Sequence, residues 1–455
     1  MHVHILGICG TFMGGIAALA RAAGHRVTGS DANVYPPMST QLEAQGIRLI
    51  EGFGPDQLLL EPDVYVIGNV ITRGNALMEE ILNGGLPYIS GPQWLAENVL
   101  RGREVAAVAG THGKTTTSSM LAWILQDAGR DPGFLIGGIP SNFGMSARAG
   151  AGRAFVIEAD EYDTAFFDKR AKFVHYRPRH LLLTNLEYDH ADIYPDLASI
   201  ERQFHHLVRT VPASGRITWN LGDSNLKATL AMGAWTPLVE YARESAAEWR
   251  TRLVTPEGGA FEVLHRDAPV GVVRWPLIGL HNVENGLAAI ACAAGMAVLP
   301  AQAAAALSRF AGVKRRLELR GEVGGIRVYD DFAHHPTAVA LTIDGVRRQP
   351  GRGRIVAVLE PRSNTMRLGV HREELAESLA GADRVFLYQP AGQDFKLDGV
   401  AAALGEKAAV KGELPALVDA LVEDLKSGDR VLIMSNGGFG GLHERLLAAL
   451  RTRPE

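Results

Sequence analysis

Short apolar runs alternate along the chain with amphipathic stretches of helical length, and glycine clusters separate the two. Runs of this kind read as buried strands of parallel sheets covered by helices on both faces. Val3–Leu6 opens the series, followed by a turn over Gly7-Ile-Cys-Gly10-Thr-Phe-Met-Gly14-Gly15 and an Ala-rich helix over Ile16–Ala23. Arg26–Gly29 is the next strand, ending at Ser30-Asp31, and Val64–Ile67 follows, with a helix near Leu77–Asn83 and a short strand at Tyr88–Ile89. A second block starts near Arg101. Its strand Glu104–Ala109 runs into a glycine turn, Gly110–Lys114, and a helix over Thr115–Ala128. Phe155–Glu158 and Leu181–Thr184 are further strands, Val254–Val273 reads as an antiparallel excursion, and His281–Ala297 as an Ala-rich helix. A third block starts near Gly312, with strands at Ile326–Tyr329, Arg354–Leu359, Arg384–Tyr388 and Arg430–Met434. The expectation is an α/β chain of three successive units, which suits 455 residues.

Composition narrows the function. Net charge is −4 with acids and bases mixed, so no basic stripe invites nucleic acid. Cys9 and Cys292 are the only cysteines and lie far apart, which excludes a disulfide framework and fits a reducing compartment. The opening MHVHILGICG reads as a strand and turn, not a signal peptide, and no apolar run reaches membrane-spanning length. A cytoplasmic protein without membrane insertion is expected.

The sharpest chemistry lies in Gly110-Thr111-His112-Gly113-Lys114-Thr115-Thr116-Thr117, between an apolar strand and a helix. Glycines there let backbone amides approach phosphate, Lys114 would neutralise the β- and γ-phosphates, and the Thr115 hydroxyl would ligate Mg²⁺. Val108 stands where the commonest phosphate loop has its first glycine. Glu158-Ala-Asp160-Glu161 ends the next strong strand, where parallel sheets collect ligands, and Glu158 joins Thr115 as the preferred metal ligand. Asn185-Leu-Glu187-Tyr-Asp189-His190 follows another strand, and His190 is a candidate for a metal or a phosphate. Lys114, Glu158 and His190 are thus the expected catalytic residues.

These stretches together resemble the Mur ligases, which build the peptide of bacterial cell-wall precursors. GTHGKTTT (110–117), EADE (158–161), NLEYDH (185–190), GLHNVEN (279–285) and DDFAHHP (330–336) occur in family order across the chain. The resemblance implies a Rossmann-like N-terminal domain holding a UDP-sugar (1–100), a P-loop central ATPase domain (101–311) and a Rossmann-like C-terminal domain for the incoming amine (312–455). ATP and Mg²⁺ are the implied cofactors. His281, Asn282 and Asn285 would then lie near adenine, and Arg316 and Asp331 would reach ATP from the third domain. Gly10, Thr11, Met13, Gly14, Ser30, Asp31 and Asn69 are the expected UDP-sugar contacts. Several family members carry a carbamylated lysine downstream of the metal-site histidine. The corresponding stretch here, Ile200-Glu-Arg-Gln-Phe-His205-His206, has no lysine, so none is expected.

Two muramate-using branches fit. GICGTFMGG (7–15), IEADEYDTAFFDKRAKFVHYRP (157–178) and LEPRSNTMRLGVH (359–371) resemble the branch that joins the tripeptide L-alanyl-γ-D-glutamyl-meso-diaminopimelate to UDP-N-acetylmuramate in peptidoglycan recycling. The alternative branch adds free L-alanine to the same nucleotide. Arg362 and Arg367 follow a third-block strand and are expected at the cleft mouth, Arg362 nearer the phosphates and Arg367 nearer the peptide. A dinucleotide-binding redox protein is a weaker reading, because Gly7-x-x-Gly10-x-x-x-Gly14 departs from the usual fingerprint. A folate polyglutamylating ligase would share the central block but would not need a UDP-sugar unit.

Overall fold

The computed structural model describes residues 1–34, 38–351, 353–367, 369–392 and 396–453. Three sheets follow one another along the chain. The first has five parallel strands in the order Arg48–Glu51, Arg26–Asp31, His2–Leu6, Val64–Ile67 and Tyr88–Ser90. The order reverses beside His2–Leu6, so neighbouring connections diverge and leave a crevice at its carboxyl end. Every residue of His2–Leu6 is buried, including His4, whose ring nitrogens meet Thr28 Oγ1 at 2.8 Å and Gln57 Oε1 at 3.1 Å. Those partners let an HVHIL sequence serve as a core strand.

The expected glycine turn is shorter than the sequence suggests. Helix begins at Thr11 and runs to Ala22, taking in Gly14 and Gly15. These two glycines serve packing: a Cβ on Gly14 would sit 2.7 Å from Met38 Sδ, and one on Gly15 would collide with Leu135 of the second sheet. The helix thereby welds the first sheet to the second, and a single buried apolar cluster runs from Val3 and Ile16 through Leu135 to Leu181.

The second sheet has ten strands. Glu104–Ala109 lies in its parallel part, between Ala154–Ala159 and His180–Leu183. At one edge Trp249–Leu253, Ala260–His265 and Ala268–Arg274 pair antiparallel, the excursion the alternating pattern predicts. The third sheet has six strands, all parallel except Glu318–Val323 against Ile326–Asp331. A hairpin of Asp163–Ala165 and Asp168–Ala171 stands apart from all three sheets and had no signal in the apolar pattern. Among the described residues no helix is long and apolar enough to cross a membrane.

Candidate active site

Three adjacent strand ends of the second sheet build the site. Ala109 leads into the glycine loop, Ala159 into Asp160-Glu161, and Leu183 into Thr184–His190. The loop cannot carry side chains at two points. Gly110 has φ 147° and a Cβ there would collide with Thr184, while Gly113 has φ 79° and faces Asn285 Oδ1. Neighbouring side chains fix its shape. Asn185 Oδ1 accepts from the His112 amide at 2.8 Å, Thr184 Oγ1 donates to His112 O at 2.7 Å, and Thr111 Oγ1 accepts from the Glu187 amide at 2.8 Å. Helix Lys114–Asp127 then starts with no side-chain cap, leaving its first amides and its positive dipole end for an anion. Its buried TTTSS run stays helical partly because Ser118 and Ser119 donate back to the carbonyls of Lys114 and Thr115 at 2.8 and 2.6 Å.

Charged groups crowd around this helix start. Thr115 Oγ1 donates to Glu158 Oε1 at 2.8 Å, and the Gly137 amide donates to Glu158 Oε2 at 2.6 Å. Lys114 Nζ lies 2.9 Å from Glu161 Oε2 and 3.6 Å from Asp160 Oδ1. His190 Nε2 meets the other oxygen of Glu161 at 3.0 Å. Burial alone would lower the His190 pKa, but Glu161, with Asp189 and Asp160 behind it, outweighs burial and pushes it up to about 9. Lys114 likewise stays charged against burial because Glu161, Asp160 and Glu158 surround it. Glu158 moves the other way, its pKa raised by burial. His190 also has φ 55°, a left-handed conformation costly for histidine and held by its neighbours. Its amide donates to Asp189 Oδ1 at 2.7 Å, and the same oxygen accepts from Thr365 Oγ1 of the third unit at 2.7 Å.

The expected trio of Thr115, Glu158 and His190 is therefore split between two contacts. Thr115 touches Glu158, whereas His190 bonds Glu161, which also holds Lys114. The oxygen-rich pair of Thr115 and Glu158 suits Mg²⁺, and Asp160, Glu161 and His190 converge closely enough to hold a second cation.

The third sheet aims its own strand ends at this cluster. Arg316 Nη2 donates to Thr115 Oγ1 at 3.1 Å, while its guanidinium lies 4.8 Å from the Phe332 ring centre. Asp331 accepts from the amides of Leu317 and Ala333 at 2.7 and 2.8 Å, which fixes the turn carrying Arg316. Thr337 Oγ1 donates to Glu187 Oε2 at 2.7 Å, and the His335 ring packs tilted against His112 with centroids 4.5 Å apart. A cavity of about 190 Å³ opens between the two sheets, lined by Tyr162, His190, His334, Arg362 and Asn436 among others. Arg362 is thus at the site, packed over Gly437, and although both arginines are exposed, Arg367 is not part of this lining. Of the three residues expected near adenine, Asn285 reaches the loop, Asn282 Nδ2 donates to Ile278 O at 2.8 Å, and His281 keeps a buried Nδ1 without a partner among the described residues. Burial drives the His281 pKa down to about 4, so its ring is neutral.

The first-sheet candidates gather at one carboxyl edge. Gly10 and Thr11 are exposed there, Asp31 Oδ2 accepts from the Cys9 amide at 2.8 Å, and Asn69 follows Val64–Ile67. Ser30 is buried with a hydroxyl that has no partner among the described residues, and Met13 and Gly14 face the core, Met13 packing under Gly68 and Gly91. Sequence reasoning assigned no role to several residues the geometry brings in. Glu161, Asn185 and Glu187 carried a signal, being polar groups just beyond strand ends. Thr365 and Asn436 also follow strand ends of the third block, but only the meeting of two sheets brings them to the site.

Residues 2–103 match the catalytic domain of the Mur ligase family, 108–293 the Mur ligase middle domain, and 315–437 the Mur ligase glutamate ligase domain. The chain is 56% identical to the UDP-N-acetylmuramate–L-alanyl-γ-D-glutamyl-meso-2,6-diaminoheptandioate ligase of Escherichia coli (strain K12), covering 100% of this chain and 99% of the relative. Its identity to the UDP-N-acetylmuramate–L-alanine ligase of Solibacter usitatus (strain Ellin6076) is 34%, over 99% of this chain and 96% of that one. A crystal structure of a murein peptide ligase from Psychrobacter arcticus 273-4 superposes with a TM-score of 0.78 at 47% identity, covering 100% of both chains. Matched along nearly its whole length, with the phosphate loop, acid cluster and facing arginine set at converging strand ends, the chain belongs to the Mur ligase family.

Proposed function

We propose that the chain joins the tripeptide L-alanyl-γ-D-glutamyl-meso-diaminopimelate to UDP-N-acetylmuramate, consuming ATP and forming an amide through an acyl phosphate. The observation that carries the chemistry is the convergence of Lys114, Glu158, Glu161 and His190 at the start of a phosphate-loop helix, faced by Arg316 from another sheet. The tripeptide is preferred over L-alanine as acceptor because the relatives of higher identity carry the tripeptide in their names.

The division of labour follows the three sheets. Residues 1–100 hold the UDP-sugar through the edge formed by Gly10, Thr11, Ser30, Asp31 and Asn69, with Met13 and Gly14 shaping it from below. Residues 101–311 hold ATP, with the amides of Gly110–Thr116 around its phosphates and His281, Asn282 and Asn285 toward the base. Residues 312–455 bring Arg316 and Asp331 to ATP and Arg362 and Arg367 toward the peptide. Thr115 and Glu158 would hold magnesium, with His190 on the Glu161 side of the cluster, and the ion would supply charge that screens phosphate oxygens.

The lactyl carboxylate attacks the γ-phosphorus, and ADP leaves. Lys114 remains protonated throughout the neutral range and offsets the repulsion between carboxylate and phosphate. The neutral α-amine of the tripeptide then attacks the acyl carbon, phosphate departs and an amide remains. Contacts across the cleft, such as Arg316 to Thr115 and Thr365 to Asp189, hold the two sheets together and exclude water from the activated acyl group. The test is ADP release with UDP-N-acetylmuramate and three acceptors. Rapid turnover with tripeptide and slow turnover with L-alanine is expected. The reverse order would transfer the chain to the alanine-adding branch.

A further inference from the structure

After supplying Glu158, Asp160 and Glu161, the chain runs into the hairpin Asp163–Ala165 and Asp168–Ala171, and the hairpin delivers one lysine to the site. Lys172 opens the short turn Lys172–His175, its amide donating to Tyr162 O at 2.9 Å. The residue is only 7% exposed. Its ammonium lies 5.3 Å from the ring centre of Phe12 and 5.4 Å from that of Tyr162. Tyr162 in turn packs on the His190 ring, with centroids 4.1 Å apart. Phe12 sits between Thr11 and Met13 at the start of the first sheet's helix. Lys172 therefore stands between the edge that would hold the sugar nucleotide and the cluster that would activate its carboxylate.

A buried lysine normally has an anionic partner. Among the described residues Lys172 forms no ion pair. The nearby acids are engaged elsewhere: Asp163 with Lys169 at 2.6 Å, Glu161 with Lys114 and His190, and Asp160 with Lys114. Burial presses its pKa down, while Asp160, Asp163 and Glu161 favour its charge. Two aromatic faces stabilise an ammonium but offer no lone pair to its N–H donors. The arrangement is half of an ion pair. Lys114 and Arg316 are already engaged around the phosphate loop, and an incoming carboxylate must approach a nest of acids that repels it.

We propose that Lys172 forms the recognition subsite for the carboxylate of the sugar nucleotide, its ammonium meeting the lactyl group between the walls of Phe12 and Tyr162. This rests on the reading of UDP-N-acetylmuramate as substrate. Lys172 acts as a carboxylate-specific anchor that also screens the group from Glu158 and Asp160. A purely structural lysine would brace the hairpin against the first sheet and be indifferent to the ligand's carboxylate.

The test is a thermodynamic cycle read by titration calorimetry without ATP. UDP-N-acetylmuramate and UDP-N-acetylglucosamine, which lacks the lactyl carboxylate, are titrated into the full-length wild type, Lys172→Met and Lys172→Arg. Lys172→Met should weaken UDP-N-acetylmuramate by at least about 30-fold, as for loss of a desolvated charge partner, and leave UDP-N-acetylglucosamine within about 3-fold. Lys172→Arg keeps a cation and should retain most of the wild-type preference, which serves as the reading if the methionine variant fails to fold. An equal loss for both ligands, or no loss for either, overturns the proposal. A wild type that does not prefer UDP-N-acetylmuramate overturns the substrate reading itself, a result distinct from loss of preference in the variant alone.

Discussion

Glu161 holds two buried cations at once, so replacing it with glutamine should expose how the site stores charge. Its side chain is 2% exposed, and those of Lys114 and His190 are 11% and 12% exposed. Glutamine keeps the shape and removes the charge. Removing one partner of a buried pair costs roughly 3–5 kcal/mol, because the other is left uncompensated. Part of that cost depends on pH in a defined direction. His190 has its folded pKa raised to about 9 from 6.5, so its contribution is fully present below pH 6.5 and is lost as pH rises through 9. At 1.36 kcal/mol per unit, that contribution is about 3 kcal/mol. The difference in denaturation free energy between wild type and Glu161→Gln, measured with chelator present, should be widest at pH 6.5 and shrink toward pH 9.5 by about 1.4 kcal/mol for each unit that the His190 midpoint falls in the variant, to a ceiling of about 3 kcal/mol. Titration of a ¹³C-labelled His190 ring provides the local check. Its midpoint should lie near 9 in the wild type and fall by more than one unit in the variant, since Glu161 is the main source of the upward shift. An unchanged midpoint, or a stability gap flat across this range, would refute the assignment of Glu161 as the partner of His190.

Lys114→Ala should lower turnover by at least about 100-fold, since its charge acts on the transferring phosphoryl group. Near-normal turnover in the folded variant would remove that role. Arg316→Lys should raise the ATP KM by about 10-fold or more, because lysine lacks the planar fork; an unchanged KM would detach Arg316 from the nucleotide. Glu158→Ala should raise the magnesium concentration needed for half-maximal rate, and an identical magnesium profile would move the ion elsewhere. Arg362→Ala should reduce tripeptide kcat/KM more than Arg367→Ala does, given that Arg362 lines the cavity and Arg367 does not; the opposite order would shift the peptide subsite outward.

Strand ends were the legible part of the sequence. Glu104–Ala109 was readable to the residue, because a run buried on both faces must be apolar throughout and the glycine after it must turn. The same logic placed Glu158 and His190 at strand ends, and the structure sets those two strands on either side of Glu104–Ala109. Their partners were less legible. Whether His190 would meet Glu158 or Glu161 depends on how the chain leaves Ala159, and a left-handed backbone at His190 has no compositional mark. Gly14 and Gly15 looked like turn residues, yet their lack of a Cβ serves helix packing instead. Lys172 lay in the stretch 157–178 that resembles the tripeptide-adding branch, which marked no single residue in it, and only its burial between Phe12 and Tyr162 singles it out. Arg316 lay in an equally ordinary run, Lys314-Arg315-Arg316. Its bond to Thr115, 201 residues away, emerges only when the third sheet faces the second.

The central claim is that the lactyl carboxylate is activated by phosphorylation and then transferred to the tripeptide amine. The most direct measurement uses UDP-N-acetylmuramate with both carboxylate oxygens replaced by heavy oxygen, and follows the label by mass spectrometry after ligation to tripeptide. Attack on the γ-phosphorus predicts one heavy oxygen in the released inorganic phosphate, the other in the new amide, and none in ADP. Heavy oxygen in AMP, or unlabelled phosphate released alongside amide, would contradict the account.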